Sequence, residues 1–134
     1  MTTPTTPGGD TFLLFVYGTL KRGGVRHHVL ADQTFLGEVR TRPSYDLFDF
    51  TEHPALVRGV AEGGSISAGR RVRGEMYRVA TSLLGLLDEI EDAPHLFRLE
   101  AIQIEDIGEP VFAYLYQGAT QGRPVCVEDS WTNP

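Results

Sequence analysis

Apolar residues are grouped along the chain in short runs of the length expected for β-strands. Residues 12–17 are apolar throughout and are followed by Gly18, a pattern typical of a strand that is buried on both faces in the middle of a sheet. Further strands are predicted from runs at residues 35–42, 44–50, 55–60, 71–79, 99–107 and 111–116. Residues 62–65 have the composition of a turn.

Two segments have the pattern of a helix. Residues 25–31 predict a short one, and residues 81–92 predict the clearest helix of the chain, with Thr81 as its N-cap and Pro94 just beyond its end. Many short strands together with one clear helix indicate an α+β domain with a curved or barrel-like sheet.

The domain is predicted to extend over residues 11–118. Residues 1–10 are rich in Thr, Pro and Gly, and their small apolar content predicts a disordered N-terminal tail. Residues 119–134 are polar and interrupted by Gly and Pro, and we interpret them as a loosely attached C-terminal tail.

Composition and charge exclude several classes of protein. The 134 residues suffice for one domain, and a formal net charge of -6 argues against a nucleic-acid partner. No apolar run approaches the roughly 20 residues of a membrane span, so no membrane partner is expected either. The single cysteine, Cys126, excludes an intramolecular disulfide, which fits a cytoplasmic location.

The helix at residues 81–92 places one acid among its apolar side chains. Projected at about 100° per residue, Glu91 falls inside the apolar face, between Leu87 and Leu84. The other acids of the helix project to the solvent side: Asp88, Glu89 and Asp92. Burial raises the pKa of a carboxyl, which suits a group that transfers protons near neutral pH. The alternative is that Glu91 reaches water or pairs with an arginine such as Arg98.

The turn after the first strand is the second candidate feature. Gly18 allows the backbone to approach a ligand closely, and successive N–H groups in such a turn can bind a small carboxylate. The spacing is not that of a nucleotide-binding loop. The alternative is an ordinary turn between a strand and a loop.

The remaining histidine, cysteine and acidic residues give no strong indication of a metal site or of a second catalytic group. His27 and His28 are adjacent and would not face the same way on a helix, so a metal site is not expected. Cys126 has no histidine near it in the sequence, which argues against a thiol nucleophile. Three acids in one segment are interpreted as a solvated loop: Asp46, Asp49 and Glu52.

Several short motifs, taken in order, resemble the gamma-glutamylcyclotransferase-like superfamily, most closely its gamma-glutamylamine cyclotransferase branch. The motifs are residues 16–23 (VYGTLKRG), 27–30 (HHVL), 73–77 (RGEMY), 87–91 (LDEIE) with Pro94 and residues 97–98 (FR), and 113–116 (AYLY). This chain departs from the resemblance at Phe97, where many relatives have tyrosine. Residues 49–67 match no element of the family, so the pocket for the leaving group is unassigned.

The resemblance implies a small mixed β-barrel flanked by helices and an enzyme that needs no cofactor or metal. Its substrate would be a small gamma-glutamyl compound, cyclised to 5-oxoproline with release of an amine. The resemblance assigns substrate binding to the backbone amides of Tyr17, Gly18, Thr19 and Leu20, and acid–base catalysis to Glu91. A non-catalytic module that binds small carboxylates is the alternative on the same fold. The leaving amine and the oligomeric state are left open.

Overall fold

The structure of the chain is a computed structural model in which residues 6–59, 69–126 and 128–134 are described. The turn predicted at residues 62–65 lies outside the described residues, as does the last residue of the strand predicted at residues 55–60. The described residues form seven strands: β1 (Thr11–Val16), β2 (Thr34–Arg40), β3 (Tyr45–Asp49), β4 (Pro54–Arg58), β5 (Arg73–Ala80), β6 (Phe97–Ile102) and β7 (Val111–Tyr116).

Five of the strands form one sheet in the order β2-β5-β1-β7-β6, and β3 and β4 form a separate hairpin. β1 pairs antiparallel with β5 and parallel with β7, so the predicted mixed sheet is confirmed. The segments that follow β2 and β6 approach each other, and the amide of Arg42 donates to the carbonyl oxygen of Gln103 at 3.0 Å. The sheet is therefore barrel-like, although the described strands do not close into a complete barrel. The predicted α+β class is confirmed.

β1 lies in the middle of the sheet, as its uninterrupted apolar run predicted. Leu13 and Phe15 pack into one hydrophobic cluster, whereas Phe12, Leu14 and Val16 pack into a second cluster on the other face. Each such side chain contributes about 1.5–3 kcal/mol on burial, so both faces require apolar residues. β1 is consequently a rigid support for the turn that follows it.

The helical segment is shorter than predicted. A 3₁₀ turn at Thr81–Leu83 precedes the α-helix α1 at Leu84–Ile90. Thr81 is not the N-cap: the cap position is Ala80 for the 3₁₀ turn and Leu83 for α1, and neither has a side-chain capping hydrogen bond. The Thr81 hydroxyl donates to the carbonyl oxygen of Gly9. The short helix predicted at residues 25–31 is a 3₁₀ helix at His27–Leu30. Within the described residues, no helix has the length and hydropathy of a membrane span.

Only part of the apolar face of α1 is buried. Leu86 is 47% exposed, whereas the neighbouring Leu87 is completely buried. The buried face is therefore centred on Leu87 and Glu91.

The C-terminal segment is not loosely attached. Cys126 and Trp131 are both buried in a core cluster, and the amide of Cys126 donates to the carbonyl oxygen of Leu47 at 2.8 Å. The guanidinium of Arg70 binds the carbonyl oxygens of Cys126 and Glu128. The low apolar content of residues 119–134 gave no sign of this packing, because two buried apolar side chains are enough to hold the segment.

The N-terminal tail is described only in part. Residues 1–5 of the predicted disordered tail lie outside the described residues. The carbonyl oxygen of Asp10, at the end of that tail, accepts a hydrogen bond from the amide of Thr81.

Candidate functional site

A cavity of about 450 Å³ opens where β1 ends, a volume within the usual range for small-molecule sites. Its wall is formed by the turn after β1, the end of α1, the start of β6 and the turn of the β3–β4 hairpin. All the candidate residues from the sequence line this cavity: Tyr17, Gly18, Thr19, Leu20 and Glu91. The structure thus brings together two features that are about 70 residues apart in the chain.

Glu91 lies at the C-cap of α1 and is 9% exposed. No hydrogen bond or ion pair joins its carboxyl to another residue among those described, and Arg98, the partner considered from the sequence, is exposed. Loss of solvation raises the pKa of Glu91 from 4.5 to about 7, although the positive charge of Arg26 opposes this rise. A carboxyl with this pKa can both accept and return a proton near neutral pH.

Arg26 is a residue of this site that the sequence did not indicate. Its Nη1 donates to the carbonyl oxygen of Ile90 at 2.9 Å, and its side chain lines the cavity. The guanidinium therefore meets the negative end of the α1 dipole and lies near the Glu91 carboxyl. The two residues of the hydrogen bond are 64 positions apart, so no local pattern could have revealed it.

The turn after β1 presents two amides that bind no described residue. The carbonyl oxygen of Gly18 accepts a hydrogen bond from the Lys21 amide at 3.0 Å, and that of Thr19 accepts one from the Arg26 amide at 3.0 Å. In a trans peptide the N–H points opposite to the C=O, so the amides of Thr19 and Leu20 point away from these bonds. Neither amide donates to a residue within 6–59, 69–126 or 128–134. Two such amides at a cavity wall can bind a carboxylate.

Gly18 is required by packing rather than by backbone conformation. A Cβ at this position would lie 2.7 Å from the Cγ and Cδ atoms of Pro54 in the hairpin. The sequence attributed this glycine to close approach of a ligand. The structure shows that the close approach is that of the hairpin, which brings Pro54 into the cavity wall.

Glu75 anchors the far end of the turn. Its carboxylate, 8% exposed, accepts hydrogen bonds from the Arg22 amide at 3.0 Å and from the Tyr77 hydroxyl at 2.9 Å. The RGEMY motif of β5 and the VYGTLKRG motif of the turn are therefore parts of one hydrogen-bonded unit. This explains why the two motifs occur together in the sequence.

Tyr17 lines the cavity and also belongs to a core cluster. The hydroxyl donates to the carbonyl oxygen of Tyr114 and accepts from the Leu56 amide at 3.4 Å. Burial, together with the negative charge of Glu91, raises the pKa of Tyr17 far above its ordinary value. Its phenol therefore stays neutral and joins β7 to the hairpin.

The segment without a family counterpart forms part of the cavity wall. Glu52 and His53, in the turn of the hairpin, line the cavity beside Pro54. The His53 ring packs edge-on against Phe97 at 5.7 Å between centroids, and its Nδ1 is 3.0 Å from the carbonyl oxygen of Pro54. Glu52, predicted to lie in a solvated loop, is exposed, and the pairing of β3 with β4 also brings it to the cavity wall.

The other residues considered for chemistry have structural roles. Nδ1 of His27 is 3.0 Å from the carbonyl oxygen of Leu20, so this imidazole supports the turn. Burial raises the pKa of Cys126, which disfavours the thiolate. In the part of the chain that the structure describes, no three side chains of His, Cys, Asp or Glu are grouped as metal ligands.

The fold and the site define a small α+β domain with a buried carboxyl, that of Glu91, in a ligand-sized cavity. Residues 14–133 match the family model described as gamma-glutamyl cyclotransferase, AIG2-like, and the chain belongs to this family. A putative gamma-glutamylcyclotransferase of Vibrio cholerae is 36% identical over 105 residues, which cover 78% of this chain and 82% of the relative. Gamma-glutamylaminecyclotransferase of Mus musculus is 33% identical over 122 residues, which cover 80% and 78% of the two chains.

A solved structure supports the same assignment. The AIG2-like protein from Mus musculus superposes with a TM-score of 0.69 and 30% identity, over 92% of this chain and 90% of that one. The family resemblance seen in the sequence motifs is confirmed, as is the prediction of an enzyme of the gamma-glutamylcyclotransferase type.

Proposed function

We propose that this enzyme converts a gamma-glutamyl amine or amide to 5-oxoproline and releases the amine, with Glu91 as the general acid–base. The observation that carries the proposal is the position of the Glu91 carboxyl, buried and with a pKa of about 7, in the same cavity as the amides of Thr19 and Leu20. The names of the relatives from Vibrio cholerae and Mus musculus support the substrate class.

The reaction is intramolecular. Glu91 accepts a proton from the α-ammonium group of the substrate, and the free amine attacks the γ-carbonyl carbon. The attack forms a C–N bond that closes the five-membered lactam, and the ring nitrogen then carries one proton too many. Glu91 returns the first proton to the leaving nitrogen as the bond to that nitrogen breaks, and it then moves the second proton from the ring nitrogen to the released amine, which leaves as an ammonium ion. Two protons thus leave the α-ammonium and two reach the leaving nitrogen, so protons and atoms balance. The tether between amine and carbonyl supplies a high effective molarity, so no protein nucleophile is needed.

The turn holds the substrate in the folded conformation that this attack requires. The amides of Thr19 and Leu20 bind the α-carboxylate, which directs the neighbouring α-amine towards Glu91. Backbone N–H groups also stabilise the oxyanion that develops on the γ-carbonyl. Arg26 keeps the pKa of Glu91 from rising further, so that enough carboxylate is present at neutral pH to act as a base.

Release of 5-oxoproline from a panel of gamma-glutamyl amines, amino acids and peptides tests the proposal. The matched control is the same compound with an acetylated α-amine, which lacks the nucleophile and should release no amine. Release from the acetylated compound would contradict intramolecular attack. Binding of 5-oxoproline by calorimetry without turnover of any panel compound would favour the alternative, a non-catalytic carboxylate-binding module.

A further inference from the structure

Residues 131–133, here called the C-terminal clamp, contact two walls of the cavity at once. Asn133 Nδ2 donates to the carbonyl oxygen of Gly18 at 3.2 Å, and Lys21 Nζ donates to the carbonyl oxygen of Trp131 at 2.7 Å. The Trp131 indole N–H donates to Asp49 Oδ1 at 3.1 Å, at the base of the hairpin turn. The clamp therefore links the turn after β1 to the hairpin.

Trp131 provides the anchor of the clamp. Its side chain is 4% exposed and belongs to the core cluster that also contains Phe15 and Tyr17. Burial of an indole contributes several kcal/mol, and here the N–H also finds its acceptor on Asp49. The position of Asn133, two residues later, is therefore set by the core.

The contact made by Asn133 has a direct consequence for the cavity. The carbonyl oxygen of Gly18 and the N–H of Thr19 belong to the same planar peptide, and they point in opposite directions. The Lys21 amide binds this oxygen within the turn, and Asn133 binds it from outside the turn. Two donors from different directions restrict rotation of the peptide plane, so they also restrict the direction of the Thr19 N–H.

We propose that Asn133 is a positioning residue of the active site, which aims the Thr19 amide at the substrate carboxylate from a clamp anchored by Trp131. The inference rests on the proposed function, since it names the residue that prepares the binding amide. It assigns a role in substrate binding to a segment whose sequence shows neither a motif nor a regular pattern.

The test compares Asn133→Leu with Thr132→Val in the full-length protein. Leu has the branched shape of Asn but no donor, whereas Thr132 is an exposed neighbour without a contact to the turn among the described residues. A hydrogen bond that orients a binding amide acts equally on ground and transition states, so Asn133→Leu should raise KM about three- to tenfold and leave kcat within about twofold. Thr132→Val should change neither. Asn133→Ala, which adds no bulk, repeats the test should the leucine variant fold poorly.

Hydrogen exchange gives a second readout that needs no activity. The Lys21 amide is bonded to the Gly18 oxygen, so loss of Asn133 should speed its exchange relative to amides of β5, and Thr132→Val should not. An unchanged KM in both Asn133 variants, or an unchanged Lys21 amide, would overturn the inference. Absence of 5-oxoproline release by the wild-type enzyme would instead refute the proposed function, and the exchange comparison would still decide whether Asn133 positions the turn.

Discussion

The guanidinium of Arg26 is hydrogen-bonded at 2.9 Å to the carbonyl oxygen of Ile90, the residue immediately before Glu91. A positive charge is therefore fixed at the end of α1, next to a carboxyl that burial keeps partly protonated. The two effects act in opposite directions on the pKa of Glu91. Their balance brings the pKa to about 7, where one group can serve as both base and acid.

Replacement of Arg26 by Gln should move the pH dependence of kcat/KM. Without the positive charge, desolvation is less opposed and the pKa of Glu91 rises, so the acid limb of the profile shifts to higher pH. Arg98→Gln is the matched control, because it removes the same charge from an exposed position. Coincident acid limbs for Arg26→Gln and the wild type would show that Arg26 does not tune Glu91.

Glu91→Gln should reduce kcat by about 10²–10⁴, because the amide keeps the shape of the side chain but cannot exchange a proton. Glu89→Gln makes the same change at an exposed position of the same helix and should have little effect. Rates of 5-oxoproline release from both variants provide the measurement. Near-wild-type turnover by Glu91→Gln would remove Glu91 from the mechanism.

The same substitution should alter how stability depends on pH. The pKa of Glu91 is about 7 in the folded protein, whereas its ordinary value is 4.5. Folding therefore favours the protonated carboxyl, and the stability that protonation contributes is lost as the pH rises through about 7. At about 1.36 kcal/mol per pKa unit, the wild type should lose about 2–3 kcal/mol relative to Glu91→Gln between about pH 5 and pH 8. Urea unfolding of both proteins at the two pH values measures this, and parallel stability curves would mean that the carboxyl is well solvated.

Gly18→Ala should weaken substrate binding more than Thr19→Ala does. The added Cβ would lie 2.7 Å from the Pro54 ring, so the turn and the hairpin must separate. Pro54→Ala removes the ring atoms and should restore part of the affinity in the double variant. The KM values of the three variants and the double variant decide this, and equal effects of the single substitutions at residues 18 and 19 would exclude the packing explanation.

Treatment with EDTA should leave turnover unchanged. The tethered amine and one carboxyl account for every proton and bond in the proposed reaction, so no Lewis acid is required. The measurement is the rate of 5-oxoproline release before and after chelation. Activity lost to EDTA and restored by zinc would refute the mechanism.

Features encoded by neighbouring residues were predictable from the sequence. The uninterrupted apolar run at residues 12–17 required burial on both faces and therefore a central strand, which the structure confirms. The spacing of Leu87 and Glu91 required one acid to share the apolar face of the helix, and Glu91 is indeed buried. Even so, the helix sequence alone did not determine which part of its apolar face is buried: Leu86 is 47% exposed and Leu87 is completely buried, a difference that depends on what packs against the helix.

Only the tertiary structure decided which distant residues complete the site. Arg26 reaches Ile90 across 64 positions, and Asn133 reaches Gly18 across 115. Such contacts leave no periodic pattern, because each joins a single residue of one segment to a single residue of another. For this reason the sequence of residues 119–134, which include the C-terminal clamp, predicted a loosely attached tail. The clamp is held by the buried indole of Trp131 and by a few polar contacts. These contacts form only because the fold places the core and the partner groups next to the clamp.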